Sequence, residues 1–290
     1  MDLFQFDYAA LAVALAHAGL GVVALLCAKL IQQIFSPYSI DRELTTKDNP
    51  AFGLALAGYY SAVVTVFVGA AAAQDLPVDA GSRAVLLAMG FDLAWTLGGI
   101  LALNGARWLM DRALVPSSPN SREIVEQRNS AAGALECGAY IASGLVLAGA
   151  IRQPGGGVLS AAALFLLGEC ALIVAGRTYQ WRAGYDLAGE IRNGNFAAGV
   201  AFGMTLIAIA LLMLKAISGE FVNWSRNLLF FALDAVAGLI LLLVLRWLTD
   251  LVLLPDARIP EEIARDRNLN AGLIEGTLAI GVAAIILFLF

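Results

Sequence analysis

Charged side chains are scarce in this sequence. Only 14% of the 290 residues are Asp, Glu, Lys or Arg, whereas soluble domains carry about a quarter. Hydrophobic residues make up 60% of the chain, and the mean hydropathy is +0.79. The net charge of −5 argues against nucleic acid as a partner, because phosphate binding relies on an excess of Lys and Arg. The composition predicts an all-α integral membrane protein embedded in a lipid bilayer.

Residues and motifs that carry catalytic or cofactor chemistry are also missing. The single histidine excludes a bis-histidine haem within one chain. Cys27, Cys137 and Cys170 lie in apolar segments without metal-ligand spacing, which is typical of buried free thiols. The chain contains no nucleotide-binding P-loop, zinc-protease or serine-hydrolase motif. We therefore expect no enzyme, no metal site and no cofactor.

The apolar residues fall into eight segments that are long enough to span a bilayer as helices. The predicted spans are 8–34, 50–73, 83–109, 129–151, 157–179, 196–217, 226–248 and 269–290. Of the 18 lysines and arginines, all but four lie in or beside the odd-numbered links. The exceptions are Arg83, Arg152, Lys215 and Arg226. Because positive residues stay on the cytoplasmic side, this bias places the odd-numbered links in the cytoplasm and both termini outside.

One segment of the chain occurs twice, 139 positions apart and without a gap. Residues 107–136 and 246–275 are identical at thirteen positions. These include the pairs Arg107 and Arg246, Trp108 and Trp247, Asn129 and Asn268, Gly133 and Gly272, and Glu136 and Glu275. A self-match at a fixed period indicates internal duplication. It divides the chain into two membrane halves, 1–152 and 153–290, which we expect to form one integrated bundle.

A weaker pattern repeats four times, once before each even-numbered span. A Glu is followed by Leu or Ile, then by a few polar residues, and then by Asn49, Asn129, Asn195 or Asn268. Each Asn suits a helix N-cap, and a glycine four residues later permits close helix packing. The chain therefore reads as four helical hairpins of the same orientation, which are parallel repeats. Parallel repeats favour a bundle with approximate symmetry about an axis along the membrane normal.

The segments REIVEQRNSAAGALE, GEIRNGNFAAGVAFG and EEIARDRNLNAGLIEG carry a resemblance to a known family. They resemble the YjfL-like bacterial inner-membrane proteins, known as domain of unknown function 350. A typical member is similar to one half of this chain, so the sequence resembles a double-length member. The first copy, RELTTKDNPAFGLALAG, departs most, with Phe52 where the others have alanine. The resemblance implies an inner-membrane location and an involvement in envelope stress, and it carries over no catalytic residue.

Six ionisable side chains lie well inside the predicted spans, where a charge costs at least ~3 kcal/mol. They are His17, Asp92, Glu136, Glu169, Asp234 and Glu275. Their distances along the helices predict a glutamate tier in the cytoplasmic half and an Asp/His tier near or beyond the midplane. Such groups could form a proton or cation path. Alternatively, neutral carboxyl groups could hold the helices together through hydrogen bonds.

A second group of candidate residues lies at cytoplasmic helix ends. Arg107 and Trp108, like Arg246 and Trp247, suit interfacial anchors, because Trp prefers the headgroup region and Arg extends towards it. A contact with an anionic lipid headgroup or a protein partner is the other interpretation.

Two functions remain open at this point. The buried carboxyl groups favour a protein that transports protons or cations. The charge-rich linkers and the family resemblance favour a non-catalytic scaffold or envelope-stress partner that binds a peripheral cytoplasmic protein. A homo-oligomer is compatible with either function.

Overall fold

The computed structural model describes residues 8–74, 81–114, 120–253 and 258–289, and these are helical without a strand. In chain order the α-helices are α1 (Tyr8–Phe35), α2 (Pro50–Ala71), α3 (Ser82–Leu114), α4 (Asn120–Val125), α5 (Ser130–Ile151), α6 (Val158–Arg182), α7 (Leu187–Arg192), α8 (Phe196–Ile217), α9 (Trp224–Leu253), α10 (Ile259–Ala264) and α11 (Leu269–Leu289). A π-helical turn, Arg42–Thr46, precedes α2.

Seven of the long helices are long and apolar enough to cross a membrane: α1, α2, α3, α5, α6, α8 and α11. The prediction of an all-helical, multi-pass membrane protein is therefore confirmed. The remaining predicted span, 226–248, lies within the 30-residue helix α9. Its role as an eighth span stays a prediction.

Four helices, which we call the central helices, form a row in the order α2, α5, α8 and α11, and each packs along the next. The two ends of this row, α2 and α11, do not form a packing interface in the described part of the chain. This arrangement differs from the expected bundle about a central axis. The reason is that α5 and α8 each meet one central helix through their own glycines and present small residues to the glycines of the other, so each packs on two central helices at once.

The other long helices, which we call the outer helices, cover the junctions of this row. α3 packs on α2 and α5, α6 packs on α5 and α8, and α9 packs on α8 and α11. α1 packs on α2 and α3. Each junction between two central helices is thus covered by one outer helix.

Glycines set the close spacing of the central helices. A Cβ added to Gly133 of α5 would lie 2.4 Å from the Ala51 carbonyl oxygen of α2. The same contact recurs between Gly199 and Ala131, and between Gly272 and Ala197. A real Cβ does not fit at these distances, so backbones approach here as they do in other membrane helix pairs that meet at small residues.

The linkers before the central helices share one hydrogen-bonded turn. Asn129 caps α5 by accepting hydrogen bonds from the Ala131 and Ala132 amides. Its side-chain amide donates to the Glu123 carboxylate at 2.9 Å and to the Ile191 carbonyl of the next linker at 2.8 Å. Arg128, just before the cap, has a left-handed φ of 54°. We call this unit, a Glu and a cap Asn joined side chain to side chain, the Glu–Asn clasp.

The clasp occurs in all four linkers. Glu43, Glu190 and Glu262 accept from the side chains of Asn49, Asn195 and Asn268. Asn49 also donates to the Ile124 carbonyl, and Asn195 to the Ile263 carbonyl. These bonds join successive linkers on one side of the protein, which we call the linker side. The clasp explains the repeated Glu of the sequence as a structural residue, because a cap Asn with a fixed side chain holds both its helix and the next linker.

Candidate functional site

The first copy of the duplicated segment brings its arginine and its glutamate together. The Nε atom of Arg107 on α3 lies 2.7 Å from Oε1 of Glu136 on α5. The Glu136 side chain is 5% exposed and that of Arg107 is 20% exposed. Each charge is costly in an apolar medium, and an ion pair compensates that cost only while both partners are present. The pair therefore fixes α3 against α5 near the linker side.

Two small cavities flank this ion pair. One of about 20 Å³ extends from Arg107 and Glu136 past Tyr140 to Ser143. The other, of about 10 Å³, extends from the same three residues to Gln32 and Tyr38. Each has room for about one water molecule. The Tyr140 hydroxyl and Gln32 Oε1 are buried without a hydrogen-bond partner among the described residues, so water is the group that would satisfy them.

Glu169 continues the polar groups from α5 onto α6. Its side chain is 1% exposed, and neither carboxyl oxygen makes a hydrogen bond within the described ranges. The Ser143 hydroxyl is a neighbour of this carboxyl group. Glu136, Tyr140 and Ser143 share one face of α5, because they are spaced by four and three residues. A line of polar groups therefore runs from the ion pair to Glu169.

The second copy of the segment places its glutamate beside a tyrosine. Glu275 on α11 is 5% exposed, and its Oε1 accepts a hydrogen bond of 2.8 Å from the Tyr179 hydroxyl on α6. Both residues line an otherwise apolar cavity of about 90 Å³ between α6, α8, α9 and α11. The side chain of Arg246, the counterpart of Arg107, lies outside the described residues.

The duplication agrees with the comparison to known families. The model of the family described as "Domain of Unknown Function (DUF350)" matches this chain twice, over residues 6–151 and 155–289. The chain belongs to the DUF350 family. It carries two DUF350 units, and the recognition of a double-length member is confirmed. No curated protein and no solved structure matches the chain.

A third polar cluster of this DUF350 protein lies farther from the linker side. Asp92 of α3 is 1% exposed, and its carboxylate lies 3.4 Å from His17 Nε2 of α1. The Gln74 side chain donates to Asp92 at 2.9 Å. Asp92 is fifteen residues before Arg107, which is about 22 Å along α3. Asp92 and His17, two of the three residues predicted for the Asp/His tier, therefore form a cluster separate from the Arg107–Glu136 ion pair.

Asp234 differs from the other predicted sites. It is exposed on α9, so the expectation of a buried carboxyl group is wrong for this residue. The sequence shows that a carboxyl group lies within a predicted span, but it does not show which way the side chain faces.

The predicted anchors also separate into two kinds. Trp108 and Trp247 are 61% and 64% exposed, and the Arg112 guanidinium lies over the Trp108 ring at 3.7 Å. The interpretation of Arg107 as an interfacial anchor is wrong, because this side chain turns inward to Glu136. An arginine one helical turn from the membrane surface reaches either a headgroup or an internal carboxylate, and only the packing decides between them.

Several site residues were not found from the sequence. Tyr140, Tyr179, Gln32 and Gln74 complete the polar clusters, yet each is an uncharged residue that spans of this kind contain for many reasons. The spacing of four between Glu136 and Tyr140 was the only available signal. The described residues contain no group of three or more His, Cys, Asp and Glu side chains that could hold a metal ion.

Proposed function

We propose that this DUF350 protein moves protons in the membrane along the buried polar groups of α3, α5 and α6. The observation that carries the proposal is Glu169, which is buried and whose two carboxyl oxygens have one polar neighbour in the described part of the chain, the Ser143 hydroxyl. A structural carboxyl group would be expected to have its hydrogen bonds satisfied. A carboxyl group that gives and takes a proton needs contact with water instead, and a water-sized cavity lined by Tyr140 reaches its neighbour Ser143.

The dimensions favour protons over hydrated cations. The cavities beside Glu136 measure about 20 and 10 Å³, which suits single water molecules. A hydrated cation needs a wider path, whereas a proton passes along hydrogen bonds between waters, hydroxyl groups and carboxyl groups. The Asp92–His17–Gln74 cluster would supply a second group of proton carriers, about 22 Å along α3 from the Arg107 end and so farther from the linker side. Transport of this kind suits a multi-pass protein of the bacterial inner membrane, where proton gradients are maintained.

Proton flux into liposomes tests this proposal. The purified protein is reconstituted with a pH-sensitive dye inside, and a potassium diffusion potential drives proton entry. We expect Glu169→Gln to lower the flux at least tenfold, and Glu169→Asp to retain part of it. Glu126→Gln, on an exposed linker side chain, is the matched control and should leave the flux unchanged. The proposal is wrong if the wild-type protein gives no flux above empty liposomes, or if Glu169→Gln matches the control.

The linker side supports a second candidate, a scaffold that binds a peripheral cytoplasmic protein. The Asn-to-Ile hydrogen bonds join the linkers into one surface, and that surface exposes charged pairs. Arg122 pairs with Glu126 at 3.2 Å, and Arg265 with Asp266 at 2.8 Å. The hydrogen bond from Arg265 holds the pKa of Asp266 below its ordinary value. Charge reversal at Glu126 and Glu261 should abolish binding of such a partner while leaving the flux of the first candidate intact.

A further inference from the structure

We propose that copies of this protein assemble head to tail, with α11 of one copy packing against α2 of the next and so continuing the row of central helices. Within the chain, the interface between successive central helices occurs three times with the same contacts. At the two ends of the row, α2 and α11 lack these contacts, and the groups that they leave unused are complementary to one another. The partner is therefore a second copy of this chain.

The first repeated contact is the linker hydrogen bond. The side chains of Asn49, Asn129 and Asn195 each donate to the carbonyl group of the isoleucine in the following linker, at 2.8 to 2.9 Å. Asn268 donates to its own Glu262, and no such bond to a following linker exists in the described ranges. At the other end, Leu44 occupies the position of those isoleucines, and within the described residues no cap Asn precedes it. The donor and the acceptor at the two ends match.

The second repeated contact lies four residues after each cap. Gly133, Gly199 and Gly272 each meet the backbone of the preceding central helix, at the residue two after its cap. Gly53 is the equivalent glycine of α2, and a Cβ added there would meet no atom within 4 Å. The residue two after the last cap is Asn270, which is exposed. This glycine face of α2 and this position of α11 would meet in a continued row.

A third contact lies one turn farther along. The ninth residue after one cap meets the eighth after the next, in the pairs Gly58 with Cys137, Gly138 with Gly203, and Met204 with Gly276. The corresponding residues at the open ends are Thr277 and Ala57. Both are exposed and both are small enough for close helix packing.

The outer layer indicates the same missing neighbour. α3, α6 and α9 each cover one junction of the row, whereas among the described residues α1 packs mainly on one central helix, α2, and on α3. In the most apolar window of α1 only 6% of the residues are buried, against 28% for α3 and 44% for α6. A groove of about 640 Å³ between α1 and α2 is lined by residues that include Val64. Gly144, the equivalent of Val64 in α5, packs on Ala62 of the preceding helix. The groove thus lies where a preceding central helix would pack, and α1 would cover that junction.

The proposed contact joins two different surfaces, so each added copy leaves a new free end unless the ends meet in a ring. Cross-linking identifies the surfaces. In a background without Cys27, Cys137 and Cys170, one chain carries Ala57→Cys and a second carries Thr277→Cys. We expect a disulfide-linked pair when the two chains are reconstituted together, and none when either is reconstituted alone. The control pair, Ala57→Cys with Leu228→Cys on the exposed surface of α9, should give no product.

The mass of the particle in lipid nanodiscs provides a second measurement. The wild-type protein should give a multiple of the 30.5 kDa chain, and Gly53→Leu should give single chains. Gly90→Leu is the matched control, because a Cβ there also meets no atom within 4 Å and the residue lies on α3, away from the proposed contact. The control should keep the wild-type mass. Single chains for the wild type, or a disulfide between two Ala57→Cys chains, would overturn the proposal.

Discussion

Replacing the cap asparagines one at a time would measure what a link between repeats contributes to stability. Asn195 and Asn268 form a matched pair. Each accepts a hydrogen bond from one backbone amide of its helix, and each donates at 2.9 Å to its own glutamate, Glu190 or Glu262. They differ because Asn195 also donates to the Ile263 carbonyl at 2.8 Å. Asn195→Ala and Asn268→Ala therefore remove the same cap but different numbers of links.

The expected magnitudes follow from these contacts. Loss of an N-cap costs about 1 kcal/mol, so Asn268→Ala should lower the free energy of unfolding by about that amount. Asn195→Ala loses the cap and also leaves the buried Ile263 carbonyl without its donor, at a cost of about 1–3 kcal/mol. We therefore expect Asn195→Ala to be more destabilising by about 2 kcal/mol.

The measurement is equilibrium unfolding in lipid discs, made on the Gly53→Leu variant so that contacts between copies do not contribute. The Gly53→Leu variant with both asparagines intact is the reference for both substitutions. Equal destabilisation by the two substitutions would contradict the reasoning, because it would mean that the bond to Ile263 contributes nothing. A larger effect at Asn268 would contradict it more strongly.

Two further substitutions test the packing and the ion pair. Gly133→Ala should destabilise the protein by about 1–3 kcal/mol, because the added Cβ would lie 2.4 Å from a backbone oxygen, whereas Gly90→Ala, where an added Cβ meets no atom within 4 Å, should be neutral or stabilising by up to about 1 kcal/mol. Thermal unfolding of the two variants checks this. Similar unfolding midpoints would contradict the close contact between Gly133 and the Ala51 backbone. Arg107→Leu should cost about 3–5 kcal/mol by removing the arginine of a buried ion pair, and adding Glu136→Leu should recover much of that loss. If the double variant is no more stable than Arg107→Leu in denaturant unfolding, the ion pair is not the cause.

The sequence was sufficient for features that depend on composition or on neighbouring residues. Long apolar runs predicted the spanning helices, and the self-match predicted the two DUF350 units. Asn129 and its equivalents were recognised as caps, because a cap hydrogen bond joins residues only two or three apart. The glycine four residues later was recognised as a packing residue because it recurs at the same distance from every cap.

The direction that each side chain faces was beyond the sequence. A soluble helix shows its buried face through a polar opposite face, but these helices are apolar all round, so the pattern carries little information about rotation. Arg107 was therefore assigned to the membrane surface although it pairs with Glu136, and Asp234 was expected to be buried although it is exposed. Asp92 lies beside His17 of α1, and the sequence pattern of α1 does not show which of its faces turns towards α3.

What the amino-acid sequence determined by itself is a membrane protein of duplicated helices, each entered through an Asn cap, because local hydrogen bonds and apolar length are sufficient to specify these. The tertiary structure decided that the central helices form an open row. The order of that row depends on which face of each helix carries the glycines that contact the backbone of a neighbouring helix. Such contacts join residues 65 to 82 positions apart, such as Gly138 with Gly203 and Gly133 with Ala51, and no short-range pattern encodes them.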